Sequence, residues 1–162
     1  MIQSAVTDLL NQHKFNYDVI EIPLSEDKKP IRQLEELLQS QNRDPYSIVR
    51  SVLFKKNSGG FALLAVAGVG RADWASLRKH LGERKLRMAE YDEVVEATGY
   101  IVGAVPPVAL PDTIQVLVDD SVSEFDTVII GSGVLGYALS LASADLLKLL
   151  ANCDHGQFVK TE

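Results

Sequence analysis

Apolar positions in this chain fall into short blocks that switch between helical and alternating spacing. Residues 4–12 place Val6, Leu9 and Leu10 on one helical face. Residues 17–22 alternate in part and predict a strand, followed by a polar connector at 23–29. Pro30 stands where a helix opens, with Ile31, Leu34, Leu37 and Leu38 on one side. Asp44-Pro45 supplies a cap and first turn. Strands are predicted at 47–55 and 61–69, joined by the hairpin sequence Asn57-Ser58-Gly59-Gly60. Asp73 caps a helix through His80 that buries Trp74, Leu77 and Leu81 and stops at Gly82. A short extended piece at 86–88 precedes a helix at 91–98, which Gly99 ends. Further strands are predicted at 115–118, 127–130 and 137–141, and Ser143-Ala144-Asp145 caps a last helix through Leu150. Residues 153–162 read as a polar tail.

Short helices interspersed with hairpins, without a repeated strand–helix unit, define an α+β fold. One domain over residues 1–152 is expected, with a mixed or antiparallel sheet and packed short helices. Its 162 residues suit one sizeable core. No apolar run approaches the ~18 residues that span a bilayer. Met1-Ile2-Gln3-Ser4 shows no basic segment leading into an apolar one, so no signal peptide is expected. The lone Cys153 cannot form an internal disulfide, which makes a reducing cytoplasm the expected home. His13, His80 and His155 lack metal-ligand spacing, and no metal or cofactor is expected. The net charge of −6 excludes a protein that coats DNA or RNA through a general basic surface. Arg78, Lys79, Arg84, Lys85 and Arg87 nevertheless cluster within ten positions. They read either as the solvated face of a helix and its exit loop or as a small phosphate-contacting patch.

Candidate chemistry concentrates in three places. After Gly99 the chain runs Tyr100-Ile101-Val102-Gly103-Ala104-Val105-Pro106-Pro107. Gly103 permits close backbone approach to a ligand, while the two prolines stiffen the loop. Such a loop presents main-chain groups rather than reactive side chains. Gly131-Ser132-Gly133-Val134-Leu135-Gly136 matches a dinucleotide fingerprint, but extended sequence follows it and only 26 residues remain, so it reads as a glycine-rich turn between strands. Arg50 interrupts an apolar strand, on the same face as Ile48, Val52 and Phe54. A cation there needs a partner or a pocket mouth. Asp119-Asp120 reads as a solvated strand end.

These blocks, residues 47–54 (SIVRSVLF), 98–107 (TGYIVGAVPP) and 130–136 (IGSGVLG), resemble the YbaK-type aminoacyl-tRNA editing domain over nearly the whole chain. That family includes the insertion domain of bacterial prolyl-tRNA synthetases and free-standing Cys-tRNA(Pro) and Ala-tRNA(Pro) deacylases. The resemblance implies a hydrolase of translation fidelity that cleaves the ester of a mischarged tRNA. It implies a bound water, backbone groups of the Gly103 to Pro107 loop and the substrate's terminal ribose hydroxyl as the working parts. The family's strand lysine maps onto Arg50, and the hydroxylated residue after it onto Ser51. A serine common in the deacylases maps onto Gly131, and another frequent serine onto Pro106.

Arg50 and Gly103 are thus the expected catalytic positions. Ser51, Tyr100, Ala104, Val105, Pro106, Pro107, Gly131, Ser132 and Gly133 are expected to bind substrate. The basic cluster at 78–87 is expected to touch the tRNA, with a synthetase or elongation factor supplying most of the affinity. Two functions stay open: a trans-acting deacylase for a small amino acid, on tRNA(Pro) among other substrates, and a catalytically degenerate domain that binds an aminoacyl or nucleotide ligand or regulates a partner.

Overall fold

Two sheets of three and five strands make up this fold, and the longest apolar strands, β2 and β3, pair at the middle of the larger one. The computed structural model describes residues 2–22, 31–68 and 70–160, with side chains at 31–35 outside the description. Helix α1 (Ala5–Gln12) precedes β1 (Tyr17–Glu21), α2 (Ile31–Ser40), β2 (Val49–Lys56), β3 (Phe61–Ala67) and α3 (Trp74–Leu81). Then come β4 (Leu86–Met88), α4 (Tyr91–Thr98), β5 (Gln115–Asp119), β6 (Thr127–Gly131), β7 (Tyr137–Ala142), α5 (Ser143–Leu149) and β8 (Asp154–Gly156). The expected α+β class is the observed one.

The smaller sheet, in the order β1-β7-β6, is antiparallel throughout. The larger, β4-β2-β3-β5-β8, is mixed: β2 pairs antiparallel with β3 and β4, whereas β3–β5 and β5–β8 are parallel. A single parallel bridge between Ile48 and Ile129 joins the two sheets. Val49, Ala65, Val118, Ile130, Leu139 and Leu146 belong to the core on that side, closed by Val6 and Leu10 of α1. On the opposite face of the larger sheet, Leu77 of α3 packs with Phe54, Val66 and Phe158. Helix α3 has eight residues, too few to persist alone. It is held by Leu77 and by an edge-to-face contact of Trp74 on Phe54, with ring centroids 5.0 Å apart.

Local chemistry sets most boundaries. Ser4 caps α1 by accepting from the Thr7 amide while its own amide reaches the Thr7 hydroxyl. Gly82 and Gly99 take left-handed backbone at φ +69° and +81° and end α3 and α4. The helix-opening Pro30 and the 23–29 connector lie outside the described residues.

Four expectations change. Residues 45–47 form a 3₁₀ turn, because Asp44 accepts from the Tyr46 amide and the Ser47 hydroxyl donates to the Asp44 carbonyl; β2 therefore begins at Val49. Helix α5 starts without a side-chain cap, its Ser143 amide donating instead to the Asp126 carbonyl. Asp119 is buried at 3% exposure and is no solvated strand end. Its carboxylate accepts from the amides of Ser121 and Phe158. The region read as a polar tail supplies β8, buries Phe158 at 3% exposure and bridges Val159 to Ala72. Polar residues there mask a segment anchored by one aromatic side chain.

Candidate functional site

The edge of β2 changes partner partway along. At its start Ile48 bridges β6; at its end Phe54 to Lys56 pair with β4. The Leu53 carbonyl accepts from Ala89 on that same edge. Main-chain groups of alternate strand residues point the same way. The N–H and C=O of Ser51 therefore point to this edge, in the gap between β6 and β4, where no strand among the described residues pairs with them. The Ser51 side chain adds a second unsatisfied group: its Oγ is buried and has no hydrogen-bond partner among the described residues. A buried hydroxyl without a partner is uncommon and calls for an explanation.

The Gly103 loop covers the same face. Val49 shares a buried cluster with Val108 and Ile130, and Leu53 shares one with Val105, so Ser51 lies on the strand face beneath residues 104–108. The loop is tied at both ends. The Thr98 hydroxyl donates to the Val94 carbonyl at 2.6 Å and accepts from the Tyr100 amide at 3.0 Å. The Tyr100 hydroxyl donates to the Ala109 carbonyl at 2.6 Å, and burial pushes its pKa up. Ile101, Val102 and Gly103 form the exposed tip, with Gly103 at φ +100°, while Ala104, Pro106 and Pro107 are buried.

The glycine-rich turn between β6 and β7 closes on this loop. The Gly133 amide donates to the Ala104 carbonyl at 2.9 Å, and the Tyr100 ring lies against Gly133. A Cβ at Gly131 would stand 2.4 Å from the Val105 carbonyl oxygen. Glycine at 131 is thus required by the close approach of two main chains. Ser132 is fully buried, and its hydroxyl accepts from the Val134 amide while its single proton lies between the carbonyls of Val134 and Tyr137. It shapes the turn.

Arg50 takes the other face of β2. It lies opposite Val66 and shares that face with Val52 and Phe54, as alternation predicts. Its exposed guanidinium donates to the Gly70 carbonyl at 2.8 Å. The Ile48–Ile129 bridge puts Arg50 level with Gly131, at the same gap in the β2 edge. The structure therefore brings together Ser51, Tyr100, Gly103 to Pro107 and Gly131 to Gly133, whereas Arg50, expected beside Gly103, projects from the opposite face of β2 and is bonded to Gly70. The alternation that assigns Arg50 to one face assigns Ser51 to the other, but nothing local announces the change of partner that opens the edge beside it.

Arg78, Arg84, Lys85 and Arg87 line one groove of about 550 Å³ with Lys55 and Lys56; Lys79 is exposed on α3 and outside that lining. Arg87 is gripped by both oxygens of Glu93, at 2.6 and 2.9 Å. The guanidinium and the Glu90 amide hold the Glu93 carboxyl down at about 2. Cys153 is a free thiol whose pKa burial raises, which suits a structural residue better than a nucleophile. Among the described residues no cluster of His, Cys, Asp and Glu could hold a metal ion, and no helix is long and apolar enough to cross a membrane.

The open strand edge, the Gly103 loop and the glycine-rich turn thus meet around one buried hydroxyl in an α+β domain. The model of the aminoacyl-tRNA editing domain matches residues 28–149, and the chain belongs to that family. It is 31% identical over 88 residues to the multifunctional Ser/Thr-tRNA deacylase ProXp-y of Escherichia coli K12, covering 54% of this chain and 53% of that protein. It is 27% identical over 107 residues to proline–tRNA ligase of Kosmotoga olearia, covering 66% of this chain and 18% of the ligase. The chain thus spans about half of the deacylase and under a fifth of the ligase. Among solved structures, the hypothetical protein APE2540 superposes with a TM-score of 0.80 at 25% identity, covering 97% of this chain and all of that one. A candidate trans-editing enzyme for prolyl tRNA synthetase superposes at 0.78 and 23% identity, covering 99% and 100%.

Proposed function

We propose that this protein is a trans-acting deacylase that hydrolyses the ester of a tRNA mischarged with a small amino acid. The observation that carries the reading is the gap in the β2 edge. There the unpaired main chain and partnerless hydroxyl of Ser51 lie beneath the Gly103 loop. The family match supplies the substrate class. In the reaction, water adds to the aminoacyl carbonyl, the bond to the ribose oxygen breaks, and that oxygen takes the proton. The ester is already activated, so fixed dipoles positioning water and carbonyl supply much of what the reaction needs. Ser51 Oγ and N–H face the carbonyl, and Gly103 lets the ribose approach the loop main chain.

Arg50 works from the opposite face of β2, reaching round its open edge. Its bond to the neutral Gly70 carbonyl is exposed, and a phosphate is the stronger acceptor. The guanidinium exchanges Gly70 for the 3′-terminal nucleotide on binding. A synthetase or elongation factor supplies the remaining tRNA affinity, consistent with the acidic net charge.

A second reading, a ligand-binding module without turnover, is favoured by one observation. Val105 occupies the space beside Gly131, where many deacylases carry a serine, so that hydroxyl has no room here. Deacylation of a panel of mischarged tRNAs by the parent, Arg50→Lys and Arg50→Ala separates the two. The deacylase reading expects turnover by the parent and its loss in Arg50→Ala with the fold intact. Activity that appears only in Arg50→Lys identifies the parent as a binding module.

A further inference from the structure

We propose that the unpaired 3′ strand of the tRNA acceptor arm crosses the protein along the outer flank of α4, from the basic groove at the far end of β2 to the Gly103 loop. The substrate class rests on the deacylase reading, while the track is carried by its own observations. The groove draws Lys55 and Lys56 from β2, Arg78 from α3, and Arg84 and Lys85 from the segment before β4. Two neighbouring acids are engaged: Glu83 accepts from the amide and hydroxyl of Ser58, and Glu93 holds Arg87 of the groove itself, while Glu90, Asp92 and Glu96 of the α4 segment face no cation in an ion pair among the described residues. Lys56, Arg78, Arg84 and Lys85 form no ion pair among the described residues. In a chain of net charge −6, a local concentration of uncommitted cations marks a polyanion site.

Helix α4 links that groove to the candidate site. It begins three residues after Met88 of β4 and ends at Gly99, four residues before Gly103. One flank carries Glu93, Glu96 and Ala97, which line a cleft with Lys55, Phe61 and Thr113. Tyr91 and Val95 stand at i,i+4 spacing on the other flank, away from the Arg87–Glu93 pair. Both are exposed, Tyr91 at 61%, and Met88, Ile101 and Val102 extend the exposed apolar line at either end. The helix covers about 12 Å at ~1.5 Å per residue, the length of a few extended nucleotides. Cations for phosphates beside an aromatic and apolar strip for unstacked bases are the parts that single-stranded RNA requires.

An uncharged acceptor-stem hairpin ending in unpaired CCA, and the same hairpin made blunt, test the track by fluorescence anisotropy. The double variant Lys56→Glu/Arg84→Glu is expected to weaken both RNAs about tenfold and to lower the salt slope by roughly 0.7–0.9 per lost phosphate contact. Tyr91→Ala is expected to weaken only the CCA-ended hairpin, about fivefold. Unchanged affinity and slope in the charge-reversed variant overturn the groove. Equal binding of blunt and CCA-ended RNA by the parent, or an equal effect of Tyr91→Ala on both, overturns the strip. Because these RNAs carry no ester, the outcome is independent of turnover. Track-dependent binding without hydrolysis of any mischarged tRNA would sink the deacylase reading and leave the track standing.

Discussion

Gly131→Ser probes how tightly the Gly103 loop is seated on β6. The added Cβ would stand 2.4 Å from the Val105 carbonyl oxygen, 2.8 Å from its carbon and 2.9 Å from the Ala104 oxygen. All three are main-chain atoms, so no side chain can swing aside. The backbone at 131 lies outside the left-handed region, so an L-residue meets no conformational penalty and the cost is steric. Carbon and oxygen settle near ~3.3 Å, so the loop must retreat by nearly 1 Å. That motion strains the Gly133–Ala104 hydrogen bond. Overpacking of this kind costs about 1–3 kcal/mol. At ~2–4 °C per kcal/mol for a domain of this size, Tm falls by roughly 2–12 °C. The shift at Gly103 lowers the deacylation rate by up to ~100-fold. Thermal unfolding and single-turnover deacylation read the two effects. Gly131→Ala carries the same Cβ and should match the serine variant in Tm. If both variants melt within about 1 °C of the parent, the loop is not pressed against β6 and the reasoning fails.

Ser51→Ala should leave Tm unchanged or raise it, because an unpaired buried hydroxyl costs about 1–3 kcal/mol that alanine avoids. The same change should lower kcat/KM at least about tenfold, ~1.4 kcal/mol of transition-state stabilisation. A loss of stability would mean that the hydroxyl has a partner within the fold. Thr98→Val keeps the shape but strands the Tyr100 amide, and should cost about 1–3 kcal/mol in denaturant unfolding. Glu93, held at about 2, contributes stability that is complete above the ordinary carboxylate range and is lost as pH falls from there toward 2. An acid titration of unfolding in the parent, but not in Glu93→Gln, should show that loss.

Residues whose chemistry is local were legible in the sequence. The left-handed caps at Gly82 and Gly99, the hairpin turn at Asn57 to Gly60 and the face of Arg50 all follow from a few neighbouring side chains. The glycine-rich turn was read correctly because the extended sequence after Gly136 contradicts a dinucleotide site. What the sequence concealed depends on strands distant along the chain. The gap in the β2 edge exists because β6 and β4 each pair with only part of β2. The resemblance named Ser51 as a substrate contact, but its partnerless buried hydroxyl and its place beside that gap emerge only in the fold. The burial of Asp119 depends on Phe158, 39 residues later. The basic groove likewise adds Lys55 and Lys56 from another strand to a cluster that sequence spacing alone could list.

The central claim is ester hydrolysis, and single-turnover decay of mischarged tRNAs at enzyme excess tests it most directly. The account predicts that the parent releases a small amino acid from at least one such tRNA faster than buffer does, and that Ser51→Ala slows the release. Decay at the buffer rate for every tRNA in the panel contradicts it.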